Sequence, residues 1–195
     1  LKPAGMTFEQ AAVVPTAAVV ALQKLRCTGP IRPGLKVLIN GAGGGVGTFA
    51  VQLAKLDGAE VTAVDSAIKL DMLRSLGADH VIDYRQEDFT QNGQRYDLIL
   101  DVMAHRSIFE TRRALSPDGT YVPVGGSTAV IFQALLLGPL ISKLGSKKVA
   151  IGEWKPNDNA DLVLLTELLE AGKVAPVIDR SYPLSELPEA MRYLA

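Results

Sequence analysis

Residues 41–47 read Gly-Ala-Gly-Gly-Gly-Val-Gly, the sharpest chemical signal in this 195-residue sequence. They follow a short apolar run, VLIN at 37–40, and lead into Val46, Phe49, Ala50, Leu53 and Leu56, apolar positions at helical spacing. In register the motif is Ala42-x-Gly44-x-x-Gly47. Glycines in such a place serve a tight strand-to-helix turn, close approach of backbone to a pyrophosphate, and close packing of helix on strand. The helix start adds free N–H groups and roughly half a positive charge. The candidate binding residues of the turn are therefore Ala42, Gly43, Gly44, Gly45, Val46 and Gly47. An acid, Asp65, closes the next apolar run about twenty residues beyond Gly44, where a ribose hydroxyl is bound in dinucleotide sites. Taken alone the motif could be a structural turn, but strand, helix, second strand and acid in this order point to a dinucleotide. No Gly-Lys-Ser/Thr follows, so it is not a P-loop. An S-adenosylmethionine methyltransferase shares the glycine loop and the acid, but a Gly-Gly-Val-Gly ending that opens a helix fits a dinucleotide better. None of the five tyrosines has Lys four residues on, which closes the Tyr-x-x-x-Lys chemistry of short-chain dehydrogenases within this chain.

The elements that must hold this turn are readable too. Strand-like runs at 37–40, 61–65, 81–84, 96–101, 120–124 and 148–151 alternate with helical stretches at 46–56, 68–76, 107–115 and 161–171. Ser107 and Glu110 form a capping-box pattern. Alternation predicts parallel βαβ units, and continuous rather than alternating apolar strands predict a sheet covered on both faces. The expected class is α/β, a doubly wound parallel sheet (Rossmann fold) of six strands with helices on both faces. Segments 91–94 and 157–161 read as surface loops, and 177–184 as strand-like before a helix from Ser185. Residues 1–30 read as a linker helix and 31–176 as the dinucleotide-binding domain. Ligands of open α/β sheets lie beyond the C-terminal strand ends. Asp101 and Val102, and Val124, Gly125 and Gly126, sit at such ends. The two glycines would let a ribose approach the backbone, and Asp101 either touches the ligand or caps a loop.

Composition excludes other classes. Twenty Lys+Arg against 21 Asp+Glu give a net charge of −1, which argues against nucleic-acid binding. The single Cys27 excludes an internal disulfide framework and a multi-Cys zinc site. The longest apolar runs, 11–22 and 130–141, are too short to span a bilayer, and no basic stretch precedes the first as in a signal peptide. The expectation is a soluble cytoplasmic protein with no membrane partner.

The stretches FEQAAVVPTAAVVALQKL, IRPGLKVLINGAGGGVGTFAVQLAK, LRSLGADHVIDYRQEDF, RYDLILD and DGTYVPVGG resemble the medium-chain dehydrogenase/reductases, and within them the zinc-independent quinone oxidoreductase branch. The resemblance implies the cofactor domain of a longer enzyme, with a catalytic domain before Phe8 and 177–195 as the start of a return segment to it. It implies hydride transfer from a nicotinamide to a quinone, enone or carbonyl acceptor, with no catalytic residue assignable in this chain. In the zinc branch a ligand Cys sits on the helix before the glycine turn; here VVPTAA at 13–18 offers no ligand, Cys27 lies turns later, and His80 and His105 read as surface or loop histidines. No zinc is expected. Ser66-Ala-Ile-Lys69 matches the Ser/Thr-x-x-Lys with which NADPH-using relatives hold the 2′-phosphate, and Tyr84 matches a tyrosine near the same adenosine. Asp65 would instead favour NAD(H), unless its carboxylate turned outward. Two matches against one acid favour NADP(H), with NAD(H) possible. Val20 stands where relatives often carry a hydroxyl near the nicotinamide. A homodimer through the edge strand near 148–151 is also implied, with the apolar 130–144 beside it or buried as an ordinary helix. A zinc-type alcohol dehydrogenase cofactor domain and a non-catalytic NAD(P)-binding redox sensor stay open.

Overall fold

The computed structural model describes Lys2, residues 5–156 and residues 158–194, Leu194 by its backbone alone. In chain order the elements are α1 (Phe8–Arg26), β1 (Lys36–Asn40), α2 (Gly45–Leu56), β2 (Glu60–Asp65), α3 (Leu70–Ser75) and β3 (His80–Asp83). There follow β4 (Tyr96–Asp101), α4 (Ile108–Arg113), β5 (Leu115–Pro123), α5 (Thr128–Leu144), β6 (Lys148–Val149), α6 (Asn159–Glu170) and α7 (Leu187–Leu194). The six strands form one sheet in the order β3-β2-β1-β4-β5-β6, and every neighbouring pair is parallel. This is the doubly wound fold the sequence predicts.

Successive strand residues serve opposite faces, which is why the strands are apolar throughout. Val37 and Ile39 join one core with Phe49, Leu53 and Leu22, while Leu38 joins the other with Ile99, Ile108 and Tyr121. The first core is built by α1, α2 and α6. Helix α1 is more than a linker. Thr7 and Gln10 cap it reciprocally, and Ala18, Val19, Leu22 and Leu25 are buried in the core. Burying each such Leu contributes about 1.5–3 kcal/mol, so α1 is a structural layer. Lys24, on the same helix, is buried with its Nζ donating to the carbonyls of Ile151 and Gly152, and burial lowers its pKa.

Several boundaries differ from expectation. The helix expected at 68–76 opens with a 3₁₀ turn over Ala67–Lys69 and ends at Ser75. The 107–115 helix stops at Arg113, because Leu115 already pairs with Tyr96 as the start of β5. That strand therefore begins earlier than 120, and a register shift between Tyr96 and Leu98 accommodates the extra residues. β6 is two residues, not four. Asp158 caps α6 through Ala160 and Asp161 N–H, so helix replaces loop over 159–161, and Asn157 lies outside the described residues. Segment 177–183 forms no strand. Helix α5 is not an ordinary buried helix: Phe132 and Leu136 are 63% and 75% exposed, while Gly138 lies against Val149 of β6.

Candidate cofactor site

β1 stops where Gly41 takes φ +77°, a left-handed conformation that favours glycine. The N–H groups of Gly41 and Ala42 both donate to the Val64 carbonyl, at 3.0 and 3.1 Å, and tie the turn to β2. Gly47 is where α2 presses onto the turn. A Cβ there would lie 2.5 Å from Ala42 Cα and closer still to the Gly41 carbonyl. Gly44 is the N-cap of α2 and offers no side chain to cap it, so the first-turn N–H groups keep their capacity for an external anion. Gly45 and Val46 begin the helix itself, and Ala42 is fully buried.

Asp65 faces this turn. Its Oδ2 accepts the Gly43 N–H at 2.7 Å, and its Oδ1 accepts the Ser66 N–H at 2.9 Å and, more loosely, the Ser66 hydroxyl at 3.3 Å. Lys69 Nζ is 3.7 Å from Oδ1, and its stem lies over Gly43. The carboxylate therefore turns inward onto the glycine loop, not outward: the loop supplies an N–H donor that any solvent-facing rotamer would forfeit. A carboxylate already bound by a loop N–H shows that the turn accepts an oxyanion, and so fits a phosphate group.

A cleft of about 990 Å³ opens over the C-terminal ends of β1–β4. Gly41, Gly44, Asp65, Ser66, Lys69, Tyr84 and Val102 all line it. Tyr84 is placed there because its N–H pairs with the Asp65 carbonyl just past the end of β3. The sequence reading missed Arg85, Phe89 and Arg106, and it took His105 only for a surface or loop residue; all four line the cleft with Met103. Their signal was positional: each follows the end of β3 or β4.

Asp101 does not line the cleft. It is 1% exposed, beneath the floor, where Oδ1 accepts from Asn40 Nδ2 at 2.7 Å and Oδ2 accepts from the Tyr121 hydroxyl at 3.0 Å. Desolvation by burial raises its pKa despite these bonds, and burial together with the adjacent carboxylate pushes the Tyr121 phenol up strongly. It is thus neither ligand contact nor cap, but a clasp joining β1, β4 and β5. Val124, Gly125 and Gly126 likewise lie outside the cleft lining. The Val124 N–H donates to the Asp101 carbonyl, and Gly125 and Gly126 pair with Ala104, bracing the loop after β4. Val20 is half-buried on α1, away from the cleft. Among the described residues no group of three or more His, Cys, Asp or Glu could hold a metal ion. Cys27 is half-buried, and burial raises its thiol pKa.

The family model for zinc-binding dehydrogenases matches residues 76–195, more than half the chain. The chain belongs to the medium-chain dehydrogenase/reductases. This medium-chain dehydrogenase/reductase is 33% identical to the 2-methylene-furan-3-one reductase of Solanum lycopersicum, with all of this chain and 46% of that protein aligned. It is 32% identical to the mitochondrial NAD(P)H oxidoreductase RTN4IP1 of Homo sapiens, over 97% of this chain and 53% of that one. The solved quinone oxidoreductase of Coxiella burnetii superposes with a TM-score of 0.83 at 29% identity, covering 99% of this chain and 59% of that one. The chain spans about half the length of the curated relatives it matches. The family is one of NAD(P)-dependent oxidoreductases. No helix among the described residues is long and apolar enough to cross a membrane.

Proposed function

We propose that the chain holds NADP(H) for an oxidoreductase that passes hydride to a quinone, enone or carbonyl acceptor. One observation carries the reading: Lys69 and Arg85, with Ser66 and Tyr84, line the same cleft as the glycine turn. The turn and the start of α2 suffice for a pyrophosphate. A second cluster of cations and hydroxyls beyond it suits a further phosphate. Asp65 opposes that phosphate, but Lys69 at 3.7 Å offsets its charge. The bound nicotinamide would supply the hydride. This chain's residues bind and orient: turn N–H groups take the pyrophosphate, Ser66 and Lys69 the 2′-phosphate, and Met103 walls the cleft beside Gly41. The printed names of the relatives, reductases and a quinone oxidoreductase, support the acceptor class. The working enzyme is a homodimer paired through β6, whose outer edge carries no further strand among the described residues; a monomer by light scattering at high micromolar concentration would overturn that part.

NAD(H) remains the second reading, because Asp65 is placed to accept a ribose hydroxyl. A charge-assisted hydrogen bond is worth about 1.5–3 kcal/mol. Lys69→Ala is therefore expected to weaken NADPH binding by about tenfold or more and NADH little, measured by calorimetric titration. Equal losses for both cofactors would sink the NADP(H) assignment.

A further inference from the structure

The sequence holds two Asn-Gly pairs, Asn40-Gly41 and Asn92-Gly93. In such a pair the glycine nitrogen can attack the preceding side-chain amide, because no Cβ shields it. The fold treats the two pairs differently. Asn40 closes β1 and is laddered to Val64 on one side and Asp101 on the other. Its Nδ2 donates to Asp101 Oδ1 at 2.7 Å and to the Met103 carbonyl at 3.2 Å, and the Gly41 N–H is spent on the Val64 carbonyl at 3.0 Å. Asn92 lies in the loop between β3 and β4. Its Oδ1 accepts from the Gln94 N–H at 3.0 Å, so the side chain folds back across the Gly93 peptide between them. Its Nδ2 donates to Glu87 Oε1 at 2.7 Å, which holds the amide in that place. Gly93 is exposed, takes φ +81°, and nothing lies within 4 Å of where a Cβ would project. Its N–H has no hydrogen-bond partner among the described residues.

We infer that Asn92 is a site of spontaneous deamidation in the folded protein, and that the fold shields Asn40 from the same reaction. The Gly93 nitrogen attacks Asn92 Cγ, the Cγ–Nδ2 bond breaks, and the Gly93 proton leaves with the amide as ammonia. Water then opens the succinimide at either carbonyl to give aspartate or isoaspartate, with no oxidation or reduction. The Gln94 N–H stabilises the charge that develops on Oδ1 as the new bond forms. At Asn40 the step requires the end of β1 to open first. The product changes the cleft, because Glu87 lines it. Asn92 donates to that carboxylate, whereas an aspartate in its place repels it. This consequence rests on the cofactor reading above: a brace of the wall becomes an added negative charge near an anionic ligand, and affinity falls as the chain ages.

The test is peptide mass mapping of the unmutated chain after it is kept folded in mildly alkaline buffer. Conversion at Asn92 is expected to outpace that at Asn40 by about tenfold or more, with isoaspartate, the mark of the succinimide route, among the products. The chain unfolded in urea is expected to convert both at similar rates, since the fold alone sets the difference. An intact Asn92 in the folded chain, or conversion there no faster than at Asn40, would overturn the site. Asn92→Asp makes the aspartyl product directly. It is expected to weaken NADPH binding about twofold to fivefold in calorimetric titration at low salt, with the loss shrinking as salt is added. Unmutated affinity in that variant would overturn the link to the cleft. If the unmutated chain binds no NADPH, the cofactor reading fails, and the peptide map still decides the site.

Discussion

The two halves of the sheet are finished to different degrees. Over β1–β4 the C-terminal strand ends form a deep cleft whose floor is clasped by Asp101, Asn40 and Tyr121 and whose walls are tied by Asp65 and Asp88. Over β5 and β6, Gly125 and Gly126 lie outside that cleft, the last strand has two residues, and α5 presents Phe132 and Leu136 to solvent. The difference teaches that the cleft over β1–β4 is built and braced by this chain's own residues, whereas the other half presents surfaces that its own core leaves uncovered.

Glycine substitutions should separate the halves most sharply. Gly47→Ala places a methyl group into the Gly41 carbonyl and Ala42. It is expected to cost about 3 kcal/mol by urea unfolding and to abolish NADPH binding. Gly138→Ala in α5 meets Val149 Cγ1 and Cβ at 3.2 and 3.3 Å, tight contacts that a small shift of the two-residue β6 relieves, and helix propensity compensates. Its midpoint should stay within about 1 kcal/mol of the parent; a loss equal to that of Gly47→Ala would erase the contrast.

Asp101→Asn tests the clasp next. The two donors meet different oxygens of Asp101, so the carboxamide keeps an acceptor for one and turns an NH₂ group toward the other, and a buried unsatisfied donor costs about 1–3 kcal/mol. The sign with pH is informative. The native pKa of Asp101 is raised, so the unfolded chain binds fewer protons and stability falls as pH climbs from about 4, the usual carboxylate value, through the raised native one. The variant should flatten that slope in urea midpoints taken across pH, and an unchanged slope would remove Asp101 as its source.

The smallest stability effect is expected at the exposed face of α5. Leu136→Lys should shift chain stability by no more than about 0.5 kcal/mol while reducing self-association in sedimentation. A large destabilisation would show that this face is packed after all.

Local features were the legible ones. The glycine turn, β1 and the Ser107–Glu110 cap depend on contacts within a few residues, and each stands where its sequence pattern puts it. The early start of β5 at Leu115 and the shortness of β6 were not legible, because both depend on register against a neighbouring strand. The same holds in the cleft. Asp65 carries a spacing signal, and Ser66, Lys69 and Tyr84 a likeness to family motifs, whereas Arg85, Phe89 and Arg106 meet only once β3 and β4 are brought to either side of β2 and β1. Asp101 looked ligand-facing for the converse reason: a strand end marks an edge, but not which side chain dives beneath it.

The bond between Asp65 and the Gly43 N–H has a further consequence. One donor of the glycine turn is already matched by a carboxylate tethered beside it at high effective concentration. On the proposed reading, a small anion from bulk solution would have to compete for that donor, whereas a ligand held at several points of the cleft could use the free N–H groups at the start of α2 instead.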